Sequence, residues 1–296
     1  MSHIPVLLNE ILAGLNPQEG EKFLDGTVNR GGHARAIGEK LGRAGLLIGL
    51  DRDAEALTEA AENLKDLPCQ VSLILGNFRD LGDILSAKSI ESIDGALFDF
   101  GLSSQQLDDS GRGFTFRKDE PLLMTFEAES GEEDLTAAKI VNEWDEGAIA
   151  DILFTYAEER YSRQIAKAIV EARRRAHILT TGQLVTVIEQ AVPAGYKKGK
   201  IHCATKTFQA LRIAVNDELG AIKEGVRSAW ERLKPGGRLA VISFHSLEAG
   251  IVKEFFNAKK KERTGEIIVK AAKPTYLEVR ENPRSRSAQL RVIRKI

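Results

Sequence analysis

The stretch Asp25-Gly-Thr-Val-Asn-Arg-Gly-Gly-His33 joins one short apolar run to a helical pattern, and a second apolar run then closes on Asp51. Paired glycines allow a ligand to approach the backbone, because no Cβ stands in the way. A carboxylate at the tip of the next strand is placed to accept both hydroxyls of a ribose. The 20 residues from Gly31 to Asp51 are close to the spacing of a dinucleotide fingerprint, but that fingerprint needs a glycine where this chain has Val28 or Asn29. Asp25 would also repel a pyrophosphate, whereas it suits a ligand bearing an ammonium or sulfonium charge. S-adenosylmethionine carries both charges and no phosphate, so the loop is read as an adenosylmethionine site. A plain strand-to-helix turn that uses glycine for geometry is the competing reading.

The elements that must position these residues alternate over the first hundred positions. Strands are expected at 22–26, 46–51, 71–76 and 93–99, with helices at 34–42 and 54–64 between them, which implies a parallel sheet with right-handed crossovers. From about 105 to 205 no strand pattern is found; helices are expected at 135–142, 146–154, 158–177 and 181–191. Arg173, Arg174 and Arg175 close the third of these, where cations suit the helix dipole. One long helix is expected over 207–233, from Phe208, Leu211, Val215, Leu219 and Ile222 recurring every three or four residues. A turn at 234–237, a strand at 238–244 and two further strands at 266–270 and 289–293 complete the reading. A helical insertion thus divides an α/β domain after its fourth strand.

A chain of 296 residues, 43% hydrophobic and 29% charged, can bury a sizeable core as one domain or two. No uncharged apolar run approaches the roughly 18 residues of a membrane span, and the N-terminus lacks the pattern of a signal peptide. Cys69 and Cys203 lie far apart with no metal-ligand cluster around either in sequence, so no metal is expected and a reducing cytoplasm fits. The net charge of −1 conceals an asymmetry: residues 253–296 carry 13 lysines and arginines against five acids, and residues 121–150 carry eight acids against one lysine. A basic tail on a neutral chain suggests a local polyanion contact; a solvated face is the alternative.

Several blocks together resemble the RsmH (MraW) family. They are Asp25-Gly-Thr with Gly31-Gly-His33, Asp99-Phe-Gly-Leu-Ser-Ser104 with Gln106-Leu-Asp108, Arg112-Gly-Phe114, Thr205-Lys-Thr-Phe-Gln-Ala-Leu-Arg212 with Val215-Asn216, Ser243-Phe-His-Ser-Leu-Glu248 and Asn282-Pro-Arg-Ser-Arg-Ser287. They occur in the family's order and span nearly the whole chain, beginning at His3-Ile-Pro-Val-Leu-Leu8. The resemblance implies a Rossmann-like class I methyltransferase sheet of seven strands with an inserted, mainly helical domain: 1–104 and 206–296 for the discontinuous methyltransferase domain, 105–205 for the substrate-recognition insertion. It implies an enzyme that uses S-adenosylmethionine to methylate N4 of a decoding-centre cytidine in 16S rRNA of the small ribosomal subunit. No membrane partner is expected, and a homodimer stays open.

By that resemblance the cofactor residues are Gly31, Gly32, His33, Asp51, Phe78, Asp99 and Gln106. Phe78 would pack on adenine or else in the core. The exocyclic amine of cytosine is a poor nucleophile because its lone pair is conjugated with the ring; an acceptor bonded to its N–H would turn that lone pair toward the methyl group. Asp99, Ser103 and Ser104 are candidates for that acceptor, with cofactor binding the competing role for Asp99. His245 either contacts the target nucleotide or caps the next turn. Lys206, Arg212, Arg284 and Arg286 are candidates for RNA phosphates or for bonds within the fold. The chain departs from the family at Asn29, where glycine is usual, at Ala249-Gly250, and at Leu123 and Thr125, where the pattern Pro-Leu-Asp-Met-Arg-Met has an acid and a base. The last change opens two rival readings: a methyltransferase with another RNA target, and a non-catalytic RNA-binding or assembly factor that retains the fold.

Overall fold

The computed structural model describes residues 5–101, 110–127, 131 and 133–296. His3, Ser103, Ser104 and Gln106 lie outside the described residues. The chain divides into two compact units, one made of Met1–Gly101 with Leu219–Ile296, the other of Leu102–Glu218.

The first unit is built on a seven-stranded sheet in the order β3-β2-β1-β4-β5-β7-β6. The strands are β1 (Lys22–Asp25), β2 (Leu46–Asp51), β3 (Gln70–Leu75), β4 (Ile93–Asp99), β5 (Leu233–Ser243), β6 (Gly265–Ala272) and β7 (Gln289–Lys295). The first five are parallel; β7 runs antiparallel to both its neighbours. The chain steps outward from β1 to β3, then restarts at β4 on the other side of β1. Between β1 and β4 the strand order reverses, and this is where an open α/β sheet leaves a crevice at its carboxyl edge. Apolar side chains fill both faces. Phe23, Ile37, Leu41, Leu47 and Leu97 belong to one layer, and Ile48, Leu50, Phe98, Val226 and Phe256 to the other.

The second unit has its own core, centred on Leu122, Ile140, Leu153, Ile165, Leu184 and Leu211. Its helices are Ala137–Glu143, Glu146–Ala157, Ser162–Arg173, Thr181–Ala191, Ala194–Lys197 and Thr205–Asn216. Among the described residues its only β pairing is an isolated bridge between Pro121 and Thr180. The unit extends to Glu218, beyond the expected boundary at 205, because the helix Thr205–Asn216 carries Phe208 and Leu211 into this core.

Three expected elements differ. The long helix over 207–233 is two helices, Thr205–Asn216 and Glu218–Arg232, separated by Asp217 at φ +42°. Aspartate tolerates this left-handed conformation, which ends the first helix while the apolar period runs on. The helix expected at 158–177 is Ser162–Arg173, because Glu158 at φ +49° terminates the preceding helix and the Glu159 carboxylate turns inward to Tyr161 N and the Tyr196 hydroxyl. The turn at 234–237 is a bulge inside β5: β4 pairs Ile93 with Leu233 but Gly95 with Arg238, so the residues between are looped out. Arg173 serves a neighbouring helix instead of its own end, donating to the carbonyls of Val141 at 3.0 Å and Trp144 at 2.6 Å. No helix among the described residues is long and apolar enough to cross a membrane.

Candidate functional site

Asp25, Asp51 and Asp99 end β1, β2 and β4, so the parallel register brings three carboxylates to one edge of the sheet. Asp25 is 1% exposed. Burial pushes its carboxyl up to about 7, and the charges of Asp99 and Asp51 add to the rise, against a lowering bond from the Thr27 amide at 3.1 Å. No lysine or arginine pairs with it among the described residues. Burial likewise raises the Asp51 carboxyl, whose Oδ2 accepts from Asn29 N at 2.8 Å and whose Oδ1 accepts from Asp53 N at 3.0 Å. The Arg52 backbone N–H also bonds to this carboxylate, and a carboxylate with about four acceptor sites keeps capacity for a hydroxyl.

The loop between β1 and the helix Gly32–Leu41 holds these carboxylates in place. Thr27 Oγ1 accepts from Asp99 N at 2.7 Å, tying β1 to β4. Asn29 sits at φ +45° and Gly31 at φ +81°. Asparagine is the side chain that best replaces glycine in the left-handed region, so the departure at position 29 leaves the loop geometry intact. At Gly26 a Cβ would lie 2.2 Å from the Phe98 ring, so only glycine fits beneath the crevice. The helix that follows presents first-turn N–H groups that lack partners within the helix, a setting that suits a ligand carboxylate.

Asp99 Oδ1 accepts from Gly101 N at 3.1 Å, and Oδ2 lies 3.6 Å from His33 Nδ1. The His33 ring is buried, and its Nε2 donates to the Val6 carbonyl at 2.9 Å. His33 thus ties the helix start to the N-terminal segment, with its second ring nitrogen facing Asp99 beyond hydrogen-bond reach. Phe78 is half-buried against Phe98 and Phe100, with ring centroids 5.5 and 5.8 Å away, and against Gly225 of the helix Glu218–Arg232. Its ring therefore belongs in part to the core, and only the remainder is available to stack on a ligand.

The other expected site residues lie on different elements. His245 is the N-cap of the helix Ser246–Lys261 in a reciprocal capping box: Glu248 N approaches His245 Nδ1 at 3.5 Å, and Glu248 Oε2 accepts from Phe244 N at 2.7 Å and His245 N at 3.3 Å. Of its two readings, the structure supplies the cap. Lys206 Nζ donates to the Glu158 carbonyl at 2.8 Å. Arg212 makes a two-pronged pair with Glu218, at 2.7 and 2.9 Å, and both side chains are largely buried. Arg284 and Arg286 are exposed on the turn Pro283–Ser287 that leads into β7.

Two features escaped the sequence reading. Asp25 was recognised as a charge in the loop but not as a site residue, although its place at the end of β1 signalled it. Cys203 was expected to have no ligand partners, yet Glu189 and His202 lie beside it, their ligand atoms all within 4.8 Å. Glu189 comes from a separate helix, so sequence spacing could not reveal it. His202 Nδ1 accepts from Ala204 N at 3.2 Å, which places the proton of the neutral ring on Nε2, 3.5 Å from Glu189. The arrangement is a histidine–carboxylate pair stacked on Phe116.

Leu123 and Thr125 lie in the helical unit. The Thr125 side chain is buried, and its hydroxyl donates to the Glu127 carbonyl at 3.2 Å. Met124 between them adopts φ +62°. Asn216 holds the segment, donating to Met124 O at 2.8 Å and accepting from Phe126 N at 2.9 Å.

Comparison with known proteins gives one family. The MraW methylase family matches residues 1–296. A ribosomal RNA small subunit methyltransferase H of Heliobacterium mobile is 47% identical, covering 99% of this chain and 99% of that protein. Its namesake in Syntrophotalea carbinolica is 45% identical, covering 99% and 98%. That of Deinococcus radiodurans is 47% identical, covering 98% and 89%.

Proposed function

The chain belongs to the MraW methylase family, and from that premise we propose that it uses S-adenosylmethionine to methylate N4 of a decoding-centre cytidine in 16S rRNA. The observation that carries the cofactor half is the cluster of Asp25, Asp51 and Asp99, with Asp25 buried and without a cationic partner among the described residues. Such a cluster fits a ligand that brings positive charge, and it disfavours one that brings a pyrophosphate. The full-length likeness to small-subunit rRNA methyltransferases supports the substrate half.

In this reading Asp51 takes the ribose hydroxyls, Gly31, Gly32 and the following helix turn receive the methionyl carboxylate, and Asp25 supplies the field that favours the ammonium and sulfonium. Phe78 offers the free part of its ring to adenine. Asp99, fixed by the Gly101 N–H and facing the His33 ring, orients the cofactor rather than removing a proton. Bound S-adenosylmethionine supplies a methyl group already activated by its sulfonium, so the chain's own residues mainly align donor and acceptor. The acceptor that turns the cytosine lone pair falls to Ser103 or Ser104, and the methylated nitrogen then gives up its extra proton to water. Gln106 completes the cofactor set by family resemblance. The helical unit contributes RNA recognition, because an open sheet edge by itself offers a cofactor crevice.

The test is methyl transfer from labelled S-adenosylmethionine to small ribosomal subunits that lack the modification, with mass mapping of the product nucleotide. N4-methylcytidine in the decoding centre is the expected product. Methyl transfer to a different nucleotide would replace the target, and cofactor binding without transfer would overturn the enzymatic reading.

A further inference from the structure

The connection from β6 to β7 holds an exposed patch that neither the cofactor site nor the core uses. Tyr276 is 81% exposed and Leu277 66% exposed, side by side at the start of the helix Tyr276–Glu281. Isolated exposed apolar side chains are ordinary, but an aromatic this open with an apolar neighbour is not packing against its own fold. Arg280 lies one helical turn after Tyr276, hence on the same face. Lys273, Arg280, Arg284 and Arg286, all within ten residues of Tyr276 in sequence, are exposed. Lys273, Arg280 and Arg286 form no ion pair among the described residues. One nearby acid is engaged: Glu278 Oε1 accepts from Leu7 N at 2.8 Å.

The topology places this patch beside the chemistry. β6 runs parallel to β5 and ends where Ala272 pairs with Leu290, and β7 begins where Gln289 pairs with Ser243. Ile242, the neighbour of Ser243, pairs with Asp99. The connection therefore spans the carboxyl edge of the sheet, the edge that carries Asp25, Asp51 and Asp99. A chain of contacts fastens it there: Glu278 to Leu7, and the adjoining Val6 carbonyl to His33, whose other ring nitrogen faces Asp99.

We propose that Tyr276 is a stacking platform for an unpaired base of the substrate RNA, with Lys273, Arg280 and Arg286 receiving the flanking phosphates. The proposal rests on the reading of this chain as an RNA methyltransferase and names where the strand lies on the sheet unit. An aromatic face set among unpaired cations is the combination that binds single-stranded nucleic acid, since every base has a face to stack and every nucleotide a phosphate. A protein partner with an acidic surface would use the cations but would not need the ring face.

The experiment compares Tyr276→Ala, Tyr276→Phe and Arg280→Gln/Arg286→Gln with the wild type. Each is assayed for methyl transfer to unmodified small subunits, for binding of a fluorescent single-stranded oligoribonucleotide of mixed sequence, and for S-adenosylhomocysteine binding. Tyr276→Ala should weaken oligoribonucleotide binding and raise KM for subunits about tenfold, the scale of one base–aromatic stack, with kcat and S-adenosylhomocysteine affinity held within twofold. Tyr276→Phe should retain wild-type values, because the ring and not the hydroxyl does the stacking. The double arginine variant should lower the slope of log affinity against log salt by about 1.4, at roughly 0.7 per phosphate contact on a single strand. Unchanged KM and oligoribonucleotide affinity in Tyr276→Ala would overturn the platform while leaving the enzymatic reading standing. A wild type that binds S-adenosylhomocysteine and transfers no methyl group would sink the enzymatic reading, and oligoribonucleotide binding would still decide the platform.

Discussion

Asp25→Asn should make the ligand-free protein more stable at pH 8 and leave it nearly unchanged at pH 4. In the folded chain the carboxyl titrates at about 7 because it is buried beside Asp99 and Asp51, whereas in the unfolded chain it returns to 3.8. Between those values the folded state holds a proton that the unfolded state has lost. Stability from this residue therefore falls as pH rises from about 4 to 7 and stays low above that. The gap corresponds to on the order of 4 kcal/mol, an upper figure because water entering the crevice relieves part of the cost. Asparagine keeps the oxygen that accepts from Thr27 N and carries no charge, so it removes the penalty without removing the bond.

The assay is urea unfolding of wild type and variant at pH 4.5, 6, 7 and 8 without ligand. Other carboxylates titrate over the same range, but they do so in both proteins, so the difference between the two curves isolates Asp25. That difference should be near zero at the lowest pH and grow toward pH 8. The same variant should discriminate less well between S-adenosylmethionine and S-adenosylhomocysteine, which differ in sulfur charge, because one buried carboxylate of the edge cluster is gone. Parallel stability curves across the whole pH range would refute the argument at its root, since they would show that Asp25 titrates alike in folded and unfolded chains.

Other substitutions test the remaining assignments. Gly26→Ala should cost about 1–3 kcal/mol, read by thermal or urea unfolding, and weaken cofactor binding, because its methyl group would overlap the Phe98 ring. Arg212→Ala should destabilise by about 3–5 kcal/mol by stranding the buried Glu218 carboxylate; a variant with wild-type stability and a raised KM for RNA would return Arg212 to the RNA contacts. Glu158→Gly should stabilise by about 1 kcal/mol in the same unfolding assay, since φ +49° suits glycine and the contact with Lys206 uses only the backbone carbonyl.

The sheet was legible because each early strand is a short apolar run closed by a polar turn, and Asp51 and Asp99 could be placed at strand ends from that pattern alone. Where the reading failed, a distant partner decides the local conformation. The apolar repeat from Phe208 to Ile222 continues through Asn216 and Asp217, yet Asn216 turns to hold Met124 and Phe126, some ninety positions earlier, and the helix ends there. His245 stands three residues before Glu248, the spacing of a capping box, but histidine is not among the side chains that announce one, so sequence left its role undecided. Arg212 carried the signature of an RNA-binding cation until Glu218, six residues on, was seen to close on it.

The same distinction bears on the changes at Leu123 and Thr125, the departures that motivated the rival readings. A buried arginine without its acid would be costly, and a buried acid without its base equally so. Here both are gone together. The threonine hydroxyl is satisfied two residues away at Glu127 O, while the Leu123 carbonyl accepts from Ala137 N at 2.9 Å. The backbone around them is pinned by Asn216, which belongs to the Thr205–Asn216 block shared with the family. Loss of the charged pair therefore leaves no stranded polar group in the segment, and the left-handed turn at Met124 does not depend on it. An effect on methyl transfer then traces to charge that the substrate no longer meets: Leu123→Asp and Thr125→Arg introduced together should change RNA affinity, and should also lower stability in urea unfolding, because the Thr125 side chain is buried and an arginine there has to leave water.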